Sequence, residues 1–219
     1  MAGESGAAQT VNKTPNGREM VVFGPKAVKR TFGQGDTHRP VSFIMESEVN
    51  RMADIAKTMR HGDRNELLIL TMFQGALRVT EAIKLRRCDK VTVDGRHILL
   101  VQGKGDKPRL VAIPEKLSHH LGDYALLKGI RLEDRFFPIT RYRAWQIVKQ
   151  CAEKAGIDRR VYCHLLRHGG AVARLKQTGN PKSLQLHLGH ADTKMTMRYL
   201  ATLQTIESLE TEGKVEFER

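Results

Sequence analysis

Arg78, the run His164-Leu165-Leu166-Arg167, the tripeptide Leu188-Gly189-His190 and Tyr199 supply two guanidiniums, two imidazoles and a phenol from one chain. Those residue types suit metal-free attack on a phosphodiester. Arginines neutralise the non-bridging phosphate oxygens, histidines donate hydrogen bonds as charge builds, and a phenol can become the covalent link to phosphorus. A phenol is a poor nucleophile at neutral pH, since its proton leaves near pH 10. Such a site must therefore stabilise the crowded, negative transition state, and an arginine fork that cannot lose its charge fits that task.

These side chains need elements to hold them. After Pro40, apolar residues recur at helical spacing from Ile44 to Met59, with Ser47 as the cap, and a second helix is expected over roughly Arg64 to Gly75. A third is expected from Val79 to the turn near Asp89. Short strands follow at Lys90 to Val93, His97 to Gln102 and Arg109 to Ile113, the first two joined by Asp94-Gly95, a strong hairpin signal. Helices then fill Pro114 to Lys128, Thr140 to Ala155, Leu166 to Thr178, Pro181 to Leu188 and Lys194 to about Leu209. The fold class is α+β, mostly helical, with a small three-stranded antiparallel sheet. Residues 1–39 are rich in Gly, Ala, Asn, Gln and Thr and read as a flexible arm, with a catalytic domain over 40–219.

Charge points to a partner. Lys and Arg outnumber Asp and Glu by 37 to 24 in 219 residues, giving +13. The last nineteen residues are net acidic by three, which leaves +16 on the first two hundred. A field that basic suits a polyanion, of which nucleic acid is the commonest. Cys88, Cys151 and Cys163 have neither disulfide nor metal-ligand spacing, so a reducing cytosol is the default. The longest apolar run, Leu67 to Phe73, is too short to cross a bilayer.

The motifs resemble, in order and register, those of the tyrosine recombinases, the phage-integrase and Xer family. His-x-x-Arg is followed twenty-three residues after its arginine by Leu-Gly-His, and nine residues later by the tyrosine. Arg78 lies in Gly75-Ala76-Leu77-Arg78-Val79-Thr80-Glu81, similar to the family's Gly-Leu-Arg-Ile-Ser-Glu, with Ala76 where a glycine is usual. Gly103-Lys104-Gly105-Asp106-Lys107-Pro108-Arg109 resembles the family's β-hairpin tip. The resemblance covers roughly Pro40 to Leu203.

It implies catalytic roles for Arg78, Lys104, His164, Arg167, His190 and Tyr199. Arg78 would hold the scissile phosphate, with Glu81 steadying the fold around it. Lys104 would protonate the 5′-oxygen leaving group, with Lys107 and Arg109 available for phosphate contacts. His190 would bond the phosphate or remain buried against the tyrosine helix, and His187 would have no such role. The implied reaction is site-specific cleavage and rejoining of double-stranded DNA through a 3′-phosphotyrosine, with no cofactor and no metal. The implied assembly is a homo-tetramer on two DNA sites, monomeric or weakly associated without DNA, not membrane-bound, and cytoplasmic at the nucleoid. Leu203, Ile206 and Leu209 would pack either on a neighbouring subunit or on the chain's own core.

Other readings stay open. A type IB topoisomerase uses similar residues to relax supercoils, and a catalytically idle DNA-binding protein would show the same charge. His164 and His168 have the i,i+4 spacing of a zinc helix, but Leu165 stands where a zinc protease has its glutamate. Gly169 and Gly170 weaken their helix by roughly 1 kcal/mol each relative to alanine, which points to close approach of DNA or of a neighbouring element. Relatives usually carry a further helical DNA-clamping domain ahead of this one. The chain is then either a short recombinase, like the fimbrial-switch invertases, or a fragment.

Overall fold

The computed structural model describes residues 11–13, 19–21, 42–103, 108–190 and 193–214. The chain divides into two compact units, Met1–Asp36 and Thr37–Arg219. In the first, β1 (Val11–Lys13) pairs antiparallel with β2 (Glu19–Val21). The rest of the arm expected over 1–39 lies outside the described residues.

The second unit is built on helices. α1 (Glu46–Thr58) and α2 (Gly62–Gln74) pack together through Val49, Met52 and Ala56 on one side and Leu67, Leu68, Ile69, Met72 and Phe73 on the other. Their apolar residues at i, i+3 and i+4 form the buried stripe that the sequence spacing predicts. α1 starts earlier than a Ser47 cap would place it. Met45 is its N-cap, and Glu48, in the first turn, accepts the Met45 backbone N–H at 2.8 Å. The same carboxylate takes a bidentate ion pair from Arg159, at 2.6 and 2.5 Å, which ties the loop ahead of Cys163 to the start of α1.

α3 (Val79–Ala82) is one turn, not the helix expected to run to Asp89. Beyond it the backbone is taken up by a distant segment. Arg87 N–H donates to Asp134 O at 3.0 Å, Cys88 N–H to Leu132 O at 2.8 Å, and Phe136 N–H to Leu85 O at 3.0 Å. Those bonds remove the donors and acceptors a longer helix would need.

Then come β3 (Lys90–Val93), β4 (Arg96–Gln102) and β5 (Pro108–Ala112), an antiparallel sheet in that order. Asp94 and Gly95 both have positive φ, 49° and 71°, as a two-residue hairpin requires. Leu99 and Val101 face the core from β4, and α4 (Glu115–Leu127) covers that face. α5 (Arg141–Lys154) packs on α1, and its Thr140 cap accepts the Arg143 N–H at 3.1 Å. α6 (Cys163–Thr178), α7 (Pro181–Leu188) and α8 (Lys194–Glu212) complete the unit.

α6 runs against α2 at very short range. A Cβ added to Gly169 would fall 2.3 Å from Ile44 O, and one added to Gly170 would fall 1.9 Å from Phe73 O. The two glycines make room for neighbouring backbone: a side chain at Gly169 would meet the segment ahead of α1, and one at Gly170 would meet the end of α2. No helix among the described residues is long and apolar enough to cross a membrane.

Candidate active site

The turn between α2 and α3 sets the first side chain. Ala76 adopts φ 49°, a left-handed conformation that a side chain disfavours and glycine accepts freely. This explains why a glycine would suit the position. The turn ends on Arg78, the N-cap of α3, whose backbone N–H donates to Glu81 Oε2 at 2.8 Å.

Glu81 is the hub of the site. Its buried carboxylate accepts Arg78 Nη1 at 2.8 Å and a parallel pair from Arg109, Nη1 and Nη2, at 2.9 Å each. Arg167 Nη1 lies 3.5 Å away. Burial pushes this carboxyl up, but the Arg109 and Arg78 hydrogen bonds outweigh it and hold the group below the usual carboxylate range. Three guanidiniums around one carboxylate leave two positive charges in excess, which is what an incoming anion would meet. Arg109 is not free for phosphate. It also donates from Nε to His187 O at 3.0 Å, and so it joins β5 to α7 and α3.

Arg167 is the most enclosed of the set, 1% exposed. It donates Nη1 to Ala76 O at 2.7 Å and Nη2 to Leu188 O at 2.9 Å. Those carbonyls come from the α2–α3 turn and the end of α7, so Arg167 joins three segments of the site. Burial, with Arg78 nearby, lowers its pKa to about 10, and it remains charged at neutral pH.

Arg167 Nη2 also lies 3.3 Å from His190 Nε2. A guanidinium can only donate, so Nε2 carries the lone pair and Nδ1 the proton. That Nδ1–H points to Thr196 Oγ1 at 3.4 Å. Burial and the Arg167 charge depress the His190 pKa to about 4, and burial lowers that of the exposed-edge His164 as well. Both imidazoles are therefore neutral near pH 7.

Tyr199 is not in the open. Its side chain is 1% exposed, sits in a cluster with Ala171, Val172, Leu175, Leu188 and Leu203, and stacks on the His190 ring at 6.2 Å and 11°. Its hydroxyl shares a 2.6 Å hydrogen bond with His168 Nδ1. Burial raises the phenol pKa, while Arg167, Arg198 and Arg78 pull against it. His168 is driven down to about 3, by burial first and then by His164 and the arginines. His164 meets His168 edge to face at 4.3 Å.

Five of the six residues expected from sequence thus lie in one connected region, and Lys104 with Lys107 lies outside the described residues. The sequence alone missed His168 as the phenol's partner and Arg109 as a structural anchor. One signal pointed to His168, the imidazole directly after Arg167; the Arg109 contacts come from distant elements and have no local signal. His187 is structural too. Its Nε2–H donates to Gly75 O at 3.0 Å, and burial lowers its pKa to about 3. Leu203 and Ile206 pack into the chain's own second cluster, while Leu209 is exposed.

Residues 42–205 match the phage integrase family. The tyrosine recombinase XerD of Neisseria meningitidis is 34% identical over 170 residues, 72% of this chain and 57% of its own length. The XerH site-specific recombinase, solved after cleavage on a palindromic difH substrate, superposes with a TM-score of 0.68 at 19% identity, over 93% of this chain and 62% of its own. The catalytic domain of bacteriophage HP1 integrase gives 0.59 at 22% identity, over 80% of this chain and 95% of its own. The chain spans about half the length of the curated relatives it matches. Because the matched stretch carries both the framework from α1 into α8 and the ordered motifs set into it, the chain belongs to the phage integrase family.

Proposed function

We propose that this chain is a site-specific DNA recombinase that cleaves and rejoins double-stranded DNA through a phosphotyrosine at Tyr199. Arg78, Lys104, His164, Arg167, His190 and Tyr199 carry the chemistry, and the catalytic domain is the unit that begins near residue 40. The observation that carries this reading is the pairing of Arg78 and Arg167 across one carboxylate, next to a tyrosine stacked on His190. The relatives' names, and the XerH complex with its difH substrate, support a DNA partner.

In the reaction, the Tyr199 oxygen bonds to phosphorus and releases its proton to solvent. The bond from phosphorus to the 5′-oxygen breaks, and Lys104 supplies that oxygen with a proton. The products are a 3′-phosphotyrosine and a free 5′-hydroxyl, and the reverse attack reseals the strand. Arg78 and Arg167 stabilise the charge on the non-bridging oxygens; each such donor contributes about 3–4 kcal/mol in comparable sites. An entering phosphate competes with His190 for Arg167 Nη2, which frees the imidazole to turn toward it. The phenol must leave its apolar cluster to attack, so the described arrangement precedes activation. Four subunits on two sites, in the cytoplasm at the nucleoid, complete the proposal.

A nicked suicide duplex tests it. The wild-type chain should form an SDS-resistant protein–DNA adduct that maps to Tyr199, and Tyr199→Phe should form none. An adduct elsewhere would overturn the assignment. A plasmid with two sites separates the neighbouring reading: inversion or resolution marks a recombinase, relaxation alone a topoisomerase-like enzyme.

A further inference from the structure

Away from these residues, among the described residues, one group brings three metal-ligating side chains together: His97, Glu115 and His119, with one ligand atom of each within 4.8 Å of the other two. We propose that they form a site for a divalent transition-metal ion of the zinc class, at the start of β4.

The sheet register builds the site. His97 lies on β4 in the alternation that points Leu99 and Val101 at α4. Its backbone carbonyl accepts the Ile113 N–H at 2.9 Å. Two residues beyond Ile113 the chain enters α4 at Glu115, and His119 follows one turn later on the same face. Glu115 Oε1 and His119 Nε2 are 3.9 Å apart, and the His97 and His119 rings meet edge to face at 5.5 Å between centroids.

The chemistry of the donors selects the ion. Two imidazoles and a carboxylate favour zinc, cobalt, nickel or copper over magnesium or calcium, which prefer all-oxygen shells. Thr92 Oγ1 lies 3.3 Å from His97 Nδ1, which leaves Nε2 as the coordinating nitrogen and supplies the outer hydrogen bond that orients a metal-bound histidine. Glu115 and His119 are exposed and His97 half-buried, so an ion reaches the group from solvent, and water would complete its shell. The ion would clamp the start of β4 to the first turns of α4. This site is independent of the proposed DNA chemistry.

The full chain, stripped with a chelator and then freed of it, should be titrated with cobalt(II), followed by visible absorption, and with zinc, followed by calorimetry. The wild type should take up one equivalent and melt at a higher temperature when loaded. His119→Ala should weaken uptake by at least about tenfold, on the scale of lost metal-site support, and abolish the thermal shift. Glu115→Gln, a change at an exposed position, provides a second variant if His119→Ala folds poorly by circular dichroism. No saturable uptake by wild type would overturn the site, as would uptake that survives both changes. Uptake lost in His164→Asn but kept in His119→Ala would place the ion at the His164–His168 pair and overturn it as well.

Discussion

The Tyr199 hydroxyl lies 2.6 Å from His168 Nδ1, and the ring it belongs to is 1% exposed. The proposed nucleophile is thus held under cover by a histidine one residue past the arginine that would bind its target. In this state neither the phenol oxygen nor its proton faces solvent.

Chemical modification should report that cover directly. Tetranitromethane should nitrate Tyr142, which is 65% exposed, well before Tyr199 in the protein without DNA. Peptide mass mapping at short times checks the order. Equal rates at the two tyrosines would mean that the ring is already released.

Stability should fall in mild acid. His168 has its folded pKa lowered to about 3, against an ordinary histidine value of 6.5. Between those values the unfolded chain binds a proton that the folded chain refuses. The stabilisation is whole above about pH 6.5 and is lost as pH falls toward 3, by about 1.4 kcal/mol per pH unit for this one group. Urea midpoints measured at several pH values should fall in acid, with His187 and His190 adding slopes of the same sign, and His168→Gln should lessen the total slope by about 1.4 kcal/mol per pH unit. A slope unchanged in the variant would assign the acid sensitivity to other groups.

Glu81→Gln should be severe for a change of one atom. It neutralises the only carboxylate within bonding distance of Arg78, Arg109 and Arg167 among the contacts described. Breaking a buried ion pair in this way costs about 3–5 kcal/mol. Equilibrium unfolding should show the loss; a change under 1 kcal/mol, read as roughly no effect on this scale, would mean that solvent screens the cluster.

Gly170→Ala should destabilise without touching any charge. The new methyl would meet Phe73 O at 1.9 Å, which is backbone and has no rotamer to yield. Overpacking typically costs about 1–3 kcal/mol, and the rigid neighbour puts this case at the upper end. Gly95→Ala, with nothing within 4 Å of the added carbon, isolates the backbone cost of positive φ (71°) from the clash. Similar losses for the two variants would refute the packing explanation.

DNA affinity should depend steeply on salt. Each neutralised phosphate contributes about −0.9 to the log–log slope on duplex DNA, so six to ten contacts imply a loss of about 10³–10⁵ between roughly 50 and 200 mM. Filter binding across that range is sufficient, and a flat response would assign the +13 charge to another partner.

The elements were largely legible from residue patterns, and where they were not the cause is tertiary. The sequence predicts a third helix from Val79 to the turn near Asp89. The bonds from Leu85, Arg87 and Cys88 to Leu132, Asp134 and Phe136 end it instead, and no local pattern announces a partner some fifty residues away. Ser47 is a good cap by type, but Glu48 sits where its carboxylate serves both the Met45 N–H and Arg159. The glycine pair signalled close contact. Only the packing of α6 showed that the contacts were Ile44 O for Gly169 and Phe73 O for Gly170.

By itself the sequence determined the residue types of the site, their order along the chain and the hairpin turn at Asp94-Gly95, because these depend on spacing and local backbone preference. It also determined the basic charge. The tertiary structure alone decided which carboxylate the three arginines share, which carbonyls enclose Arg167, and that Tyr199 rests on His168 rather than in the open. Those relations join residues from separate elements, so they are set by how the elements pack: a guanidinium or phenol finds its partner only after burial has removed water as the alternative.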